Sequence, residues 1–242
     1  MMLRAPPLAP PLPSGSFSVR KQFEQYVSWQ LENEETGFFA VENAAVIGSE
    51  LLELVARQRA RHMLVHGDQH LEGCGSDYAI TQAMAYEGIS IDYKLLARGY
   101  GSFALRMTPI QRVIRLCIYL VTQPMIAQIG PMSSLGRAVA TQLHEAIDDS
   151  DRSGLWQSHS EILLWVLFVA AFYTESGSRW DWLVQQIQML FEVLQIDSYE
   201  VLQELVRRYT LVGDLFDTTL TRVWEATGRQ YMLGADHVED LD

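Results

Sequence analysis

The chain has 242 residues, 48% of them hydrophobic and 20% charged, a globular composition with enough apolar mass for a sizeable core. Eighteen basic against thirty acidic residues leave a net charge of −12, and Lys21 and Lys94 are the only lysines. Such a surface repels phosphate backbones and anionic bilayers, which excludes broad electrostatic binding of nucleic acid or membrane as an expectation.

Residues 5–13, APPLAPPLP, hold five of the eight prolines, and with their surroundings they read as a disordered proline-rich N-terminus over 1–16. Arg4, Pro7 and Pro10 match the R-x-x-P-x-x-P spacing read by SH3 domains, a cheap match in so short a segment. No signal peptide is apparent, because prolines rather than an apolar stretch follow Arg4. Helical spacing begins with Val19, Phe23, Tyr26, Val27 and Leu31. Residues 37–48 read as a loop or short turn, and Leu51, Leu54, Val55 and Gln58 open a helix that Gly67 stops after His66. A polar glycine-rich loop spans 67–77. A short helix at 79–86 then gives way to irregular chain.

Thr108 and Pro109 mark the next helix start, as cap and first helical residue. Ile110, Val113, Ile114, Cys117 and Val121 form its apolar face, and Pro124 is expected to close it. Leu135, Val139, Leu143 and Ile147 repeat the pattern over 133–147, before a loop DDSDRSG at 148–154. Residues 162–173 are twelve consecutive apolar residues. A bilayer span needs about 20, whereas 10 to 14 suit a buried helix, so the run is read as the central helix of the fold. A helix over 181–195 follows, with Leu183, Ile187, Leu190 and Phe191 on one face. Asp197 and Glu200 suggest a capping box for the next helix. Phe216, Leu220, Val223 and Trp224 mark the last one, and 232–242 form an acidic tail. No convincing strand pattern appears. The expected class is all-α, an irregular multi-helix bundle around a central apolar helix, with 17–231 as a single domain.

Two clusters carry ligand-type side chains. His62 and His66, at i and i+4 on one helix, have a spacing that can hold zinc, and His70, Cys74 and Asp77 follow. Met63 stands where a zinc protease needs glutamate, so the histidines read as a solvated helix end. Asp148, Asp149 and Asp151 form an acidic group of the kind that chelates magnesium, but they read as a solvated loop without a second cluster. Neither is taken as a metal site. No nucleophile elbow, phosphate loop or dinucleotide fingerprint occurs, and no cofactor is implied. Cys74 and Cys117 make no disulfide framework, although a bridge between them stays open.

The ordered series LLWVLFVAA (163–171), WDWLVQQI (180–187), LQIDSYEVLQELVRRYTLV (194–212) and TRVWEA (221–226) resembles the C-terminal part of the fungal-specific transcription factor domain, the regulatory region of fungal zinc-cluster transcription factors. Trp165 and Phe168 match its apolar helix, and Trp182 with Leu183 its aromatic pair. Ser198, Tyr199 and Glu200 match its Ser-Trp-Glu-like helix start, and Trp224 with Glu225 its closing element. The helices at 108–122 and 133–147 look like the family's preceding pair, so the resemblance covers about 85–230. Leu183 and Tyr199 replace more usual aromatics, and Ala170-Ala171 stands where glycine is common. Two cysteines cannot form the six-cysteine zinc cluster with which such proteins grip DNA. The resemblance therefore implies a nuclear or cytoplasmic, non-secreted transcription regulator that acts through protein partners or as a homo-oligomer. The alternatives are an enzyme of fungal secondary metabolism built on the same helices, and a sensor housing a small-molecule effector between them.

Overall fold

The computed structural model describes residues 19–66, 77–97, 106–127, 134–151, 154, 156–209 and 216–228. Segment 5–13, His70, Cys74 and the tail 232–242 lie outside them, as do the side chains of His66, Asp77 and Asp151. Among the described residues all regular structure is helical, as the all-α reading requires. The stretch read as one domain divides by its contacts into two compact units, on either side of Gly130 and Pro131.

The first unit contains α1 (Val19–Asn33), a short 3-10 helix (Gly37–Phe39), α2 (Val41–Ile47), α3 (Ser49–His66), α4 (Asp77–Ala97) and α5 (Pro109–Ala127). Helix α3 is its hub, packed by α1, α2, α4 and α5. Its Leu54, Val55, Ala56 and Ala60 are buried with Phe23 and Val27 of α1 and Ile91 and Leu95 of α4. The stretch 37–48, expected as a loop or short turn, forms the 3-10 turn and, beyond that expectation, the helix α2. Phe38, Phe39 and Ile47 are buried there, and the Asn43 side chain donates to the Gly37 carbonyl at 2.8 Å. Gly48 ends α2 at φ +83°, where a Cβ would lie 3.2 Å from the Gln111 amide nitrogen. That same nitrogen donates to the Val46 carbonyl.

The irregular chain expected after 86 is also helical. Helix α4 runs on to Ala97, because Gly88 is buried against its neighbours and Ile91 and Leu95 anchor the second half. Helix α5 begins as its sequence dictates: the Thr108 hydroxyl accepts from the Gln111 N–H, and the Gln111 side chain accepts from the Thr108 N–H. It passes Pro124 and ends at Ala127, since a missing donor in the last turn interrupts a single rung.

The second unit contains α6 (Ser134–Asp151), α7 (Ser160–Phe172), α8 (Ser178–Val193), α9 (Tyr199–Tyr209) and α10 (Asp217–Ala226). Helix α7 is the central apolar helix: α6, α8, α9 and α10 all pack on it, and every residue from 164 to 171 is buried. Helix α6 continues through Asp148 and Asp149, which sequence places in a loop. Ile147 and Ser150 hold that last turn inward, and Ser150 accepts a hydrogen bond from Trp156 Nε1 at 2.9 Å. Helix α8 ends in a Schellman motif, with Ile196 N–H bonded to the Phe191 carbonyl and Gln195 N–H to that of Glu192. Gln195 takes the left-handed position at φ +54°, where glycine is usual. The cap of α9 is Ser198, whose hydroxyl accepts from the Val201 N–H, rather than Asp197.

Candidate functional site

The motif series meets around α7. Trp165, Phe168 and Leu183 are fully buried, and Tyr199 and Trp224 nearly so. The Trp224 indole lies 5.9 Å from the Tyr199 ring, edge to face, and 5.8 Å from Phe191. Four motif residues take other roles, Ser198 as the cap of α9 among them. Trp182 is half-buried, and Glu200 and Glu225 are exposed, as carboxylates on the outer faces of short helices must be. Glu200 sits in the first turn of α9, where its charge opposes the helix dipole favourably.

Beside this core lies the most developed polar cluster of the second unit. Arg179, on the first turn of α8, pairs with Asp148 on α6 at 3.0 Å and donates to His144 Nδ1 at 3.0 Å. It also donates to the His144 carbonyl, and its guanidinium stands 4.2 Å from the Trp182 ring centroid. Arginine can only donate, so Nδ1 of His144 accepts and the ring proton sits on Nε2. Nε2 then faces the Thr174 hydroxyl at 3.1 Å, and that hydroxyl donates onward to the Ala170 carbonyl. Burial and the adjacent Arg179 cation lower the His144 pKa to about 4, against the opposing pull of Asp148. The imidazole is therefore neutral at ordinary pH and its lone pair is occupied, so it has no capacity to act as a general base. Arg222 completes the arrangement. It donates to the Ala171 and Thr174 carbonyls at the end of α7 and stacks 3.7 Å from the Trp180 ring centroid. Together these groups clasp the exit from α7.

Of the metal candidates named from the sequence, His62, Asp148 and Asp149 have described side chains. Asp148 belongs to the arginine clasp, and Asp149 is exposed. His62 is half-buried with Nδ1 shielded from solvent, which corrects the expectation of a solvated helix end. Among the described residues no group of three or more histidine, cysteine, aspartate or glutamate side chains could hold a metal ion. Cys117 is a free thiol, and full burial pushes its pKa well above the ordinary value, which leaves it unreactive. Among the same residues no helix is long and apolar enough to cross a membrane.

The first unit contributes an ionic junction that sequence reasoning missed. Arg57 on α3 pairs with Glu24 of α1 at 3.1 Å, Glu53 of its own helix at 3.0 Å and Glu87 of α4 at 2.8 Å. Desolvation opposes its charge, but the three carboxylates outweigh it and raise its pKa. Only the i, i+4 pair Glu53–Arg57 is a local signal; the other two partners come from distant helices.

Apolar side chains on α8 and α4 are among those open to solvent. Met189 and Val193 lie one turn apart on α8 and are exposed. On α4, Tyr86, Ile89 and Tyr93 are 65%, 57% and 73% exposed and share one helical face. No family model, curated protein or solved structure matches the chain.

Proposed function

We propose that this chain is a transcription-regulatory protein, similar to the helical regulatory domain of fungal zinc-cluster transcription factors, which acts through protein partners and not by gripping DNA itself. The observation that supports it is the meeting of the motif series on one core: Trp165, Phe168, Leu183, Tyr199 and Trp224 come from four consecutive helices and are all buried in the second unit. The net charge of −12 and the two cysteines favour partner-borne over direct contact with DNA. The exposed pair Met189 and Val193 supplies a surface of the apolar kind that partners cover. Nuclear action follows from this reading.

The test is a fusion of the chain to an unrelated DNA-binding module in a fungal cell that carries the matching reporter. The parent fusion should change reporter output, and Met189→Glu with Val193→Glu should abolish the change without altering the melt. A folded, nuclear parent fusion that leaves the reporter untouched sinks the proposal. A discrete gel shift of DNA by the isolated chain at physiological salt would overturn its partner-only mechanism.

A further inference from the structure

The outward face of α4 has the spacing of a coiled-coil seam. Tyr86, Ile89 and Tyr93 are exposed and Leu96 is half-buried, so apolar side chains recur at steps of three, four and three. Gly88, Ile91 and Leu95 are buried on the opposite side, against the first unit's core. Exposed Ala85 flanks the seam on one edge, and Ser90 and exposed Ala97 flank it on the other. Residues this small let a second helix approach to about 8 Å, the close end of helix packing.

Charge decides which helix fits. Two copies at −12 each repel, so they can meet closely only on a face that brings little charge together. Between 85 and 97 the charged residues are Glu87, Asp92 and Lys94. Glu87 is paired with Arg57 at 2.8 Å, and Asp92 accepts from the buried Thr122 hydroxyl at 2.9 Å. The outer faces of α8 and α9, by contrast, expose Asp181, Glu192, Glu200 and Glu204. A basic partner finds carboxylates there, whereas on α4 both carboxylates are already engaged.

The seam is also complementary to itself. Positions 86 and 96, and 89 and 93, are symmetric about 91. An antiparallel copy related by a two-fold axis therefore sets Tyr86 against Leu96 and Ile89 against Tyr93 of the second copy, an aromatic against an aliphatic in every layer. Four such layers span about 15 Å of helix. Two largely exposed tyrosines, an isoleucine and the small flanking residues offer roughly 400–600 Å² per copy. A standard interface takes about 800 Å² on each side, so the seam supports a readily exchanging dimer and not an obligate one. We infer that the chain self-associates as an antiparallel two-fold dimer through the Tyr86–Ile89–Tyr93–Leu96 seam of α4.

Sedimentation velocity of the full-length chain, from micromolar to several hundred micromolar, reads the association directly. The weight-average mass should climb from one chain towards two. Ile89→Glu should weaken the dimer about ten-fold or more, and Tyr93→Ser should weaken it too, both at an unchanged melt in dilute solution. Met189→Glu, on the second unit, should leave it as it was. In a Cys74→Ser background, a mixture of Ile89→Cys and Tyr93→Cys chains should form a disulfide-linked dimer on mild oxidation far more readily than either chain alone. A single-chain mass at every concentration overturns the inference and leaves the face to a partner of other chemistry. A dimer indifferent to both substitutions overturns it as well, by placing the contact elsewhere. Preferential same-position crosslinks would mean parallel helices, and would refute the antiparallel seam.

Discussion

Replacing Trp165 by alanine should be the most damaging single truncation in the second unit. The indole is wholly buried on a helix packed by four others, so its surroundings have no solvent-facing side from which to collapse into the void. Large aromatic-to-alanine changes in cores cost about 3–5 kcal/mol, and this geometry places Trp165 in the upper half of that range. At about 2–4 °C per kcal/mol for a chain of this size, the melt should fall by roughly 8–20 °C. Tryptophan fluorescence is the suitable probe, because five of the six tryptophans follow residue 131 and report mainly on the second unit. Trp182→Ala is the control: that ring is half-buried beneath Arg179 and its loss should cost only about 1–2 kcal/mol. A Trp165→Ala protein that melts within about 2 °C of the parent, or one that outlasts Trp182→Ala, would refute the placement of the core around α7.

Other consequences are equally open to measurement. His144 has a folded-state pKa of about 4, below the ordinary imidazole value, so the stability it shares in is whole above about pH 6.5 and declines as pH falls towards 4. The decline should reach roughly 2 kcal/mol after allowance for partial exposure, and His144→Gln should flatten that part of the profile; parallel profiles would count against the clasp. Arg57→Met strands three carboxylates and should cost about 2–3 kcal/mol in urea melts, with the deficit shrinking in high salt. An unchanged deficit in salt would show that lost packing, not charge, is responsible. Gln195→Gly relieves a left-handed residue and should stabilise by about 1 kcal/mol, whereas a loss would mean that the glutamine side chain makes a compensating contact. His62→Ala should cost about 1 kcal/mol rather than the near-zero value of a solvated site, a difference that thermal melts resolve.

Local signals made some of this structure legible. Thr108-Pro109 announced α5 because capping and proline geometry act within one turn, and twelve apolar residues announced α7 because nothing else accommodates them. What sequence concealed depended on partners far along the chain. The chain after 86 reads as irregular, yet α4 continues because Ile91 and Leu95 are held by the first unit's core. Asp148 looked like part of a solvated loop, yet Trp156 and Ser150 secure the last turn of α6, and Arg179 arrives from thirty-one residues away. His144, unremarked in its own amphipathic stretch, takes part in a polar network because Thr174 and Arg179 reach it from thirty and thirty-five residues along the chain.

A helix buried on every face cannot shield itself while it waits for its neighbours. Helix α7 is completed at Phe172, but the last helix that covers it ends at Ala226, fifty-four residues later. At roughly 5–20 residues per second of synthesis, its Leu-Trp-Val-Leu-Phe-Val run emerges about 3–11 s before its cover is finished. During that interval it is the stickiest segment of the nascent chain, and holding it apart falls to the translating cell's chaperones. Yield in expression should therefore follow chaperone supply and growth temperature more closely than the stability of the finished fold.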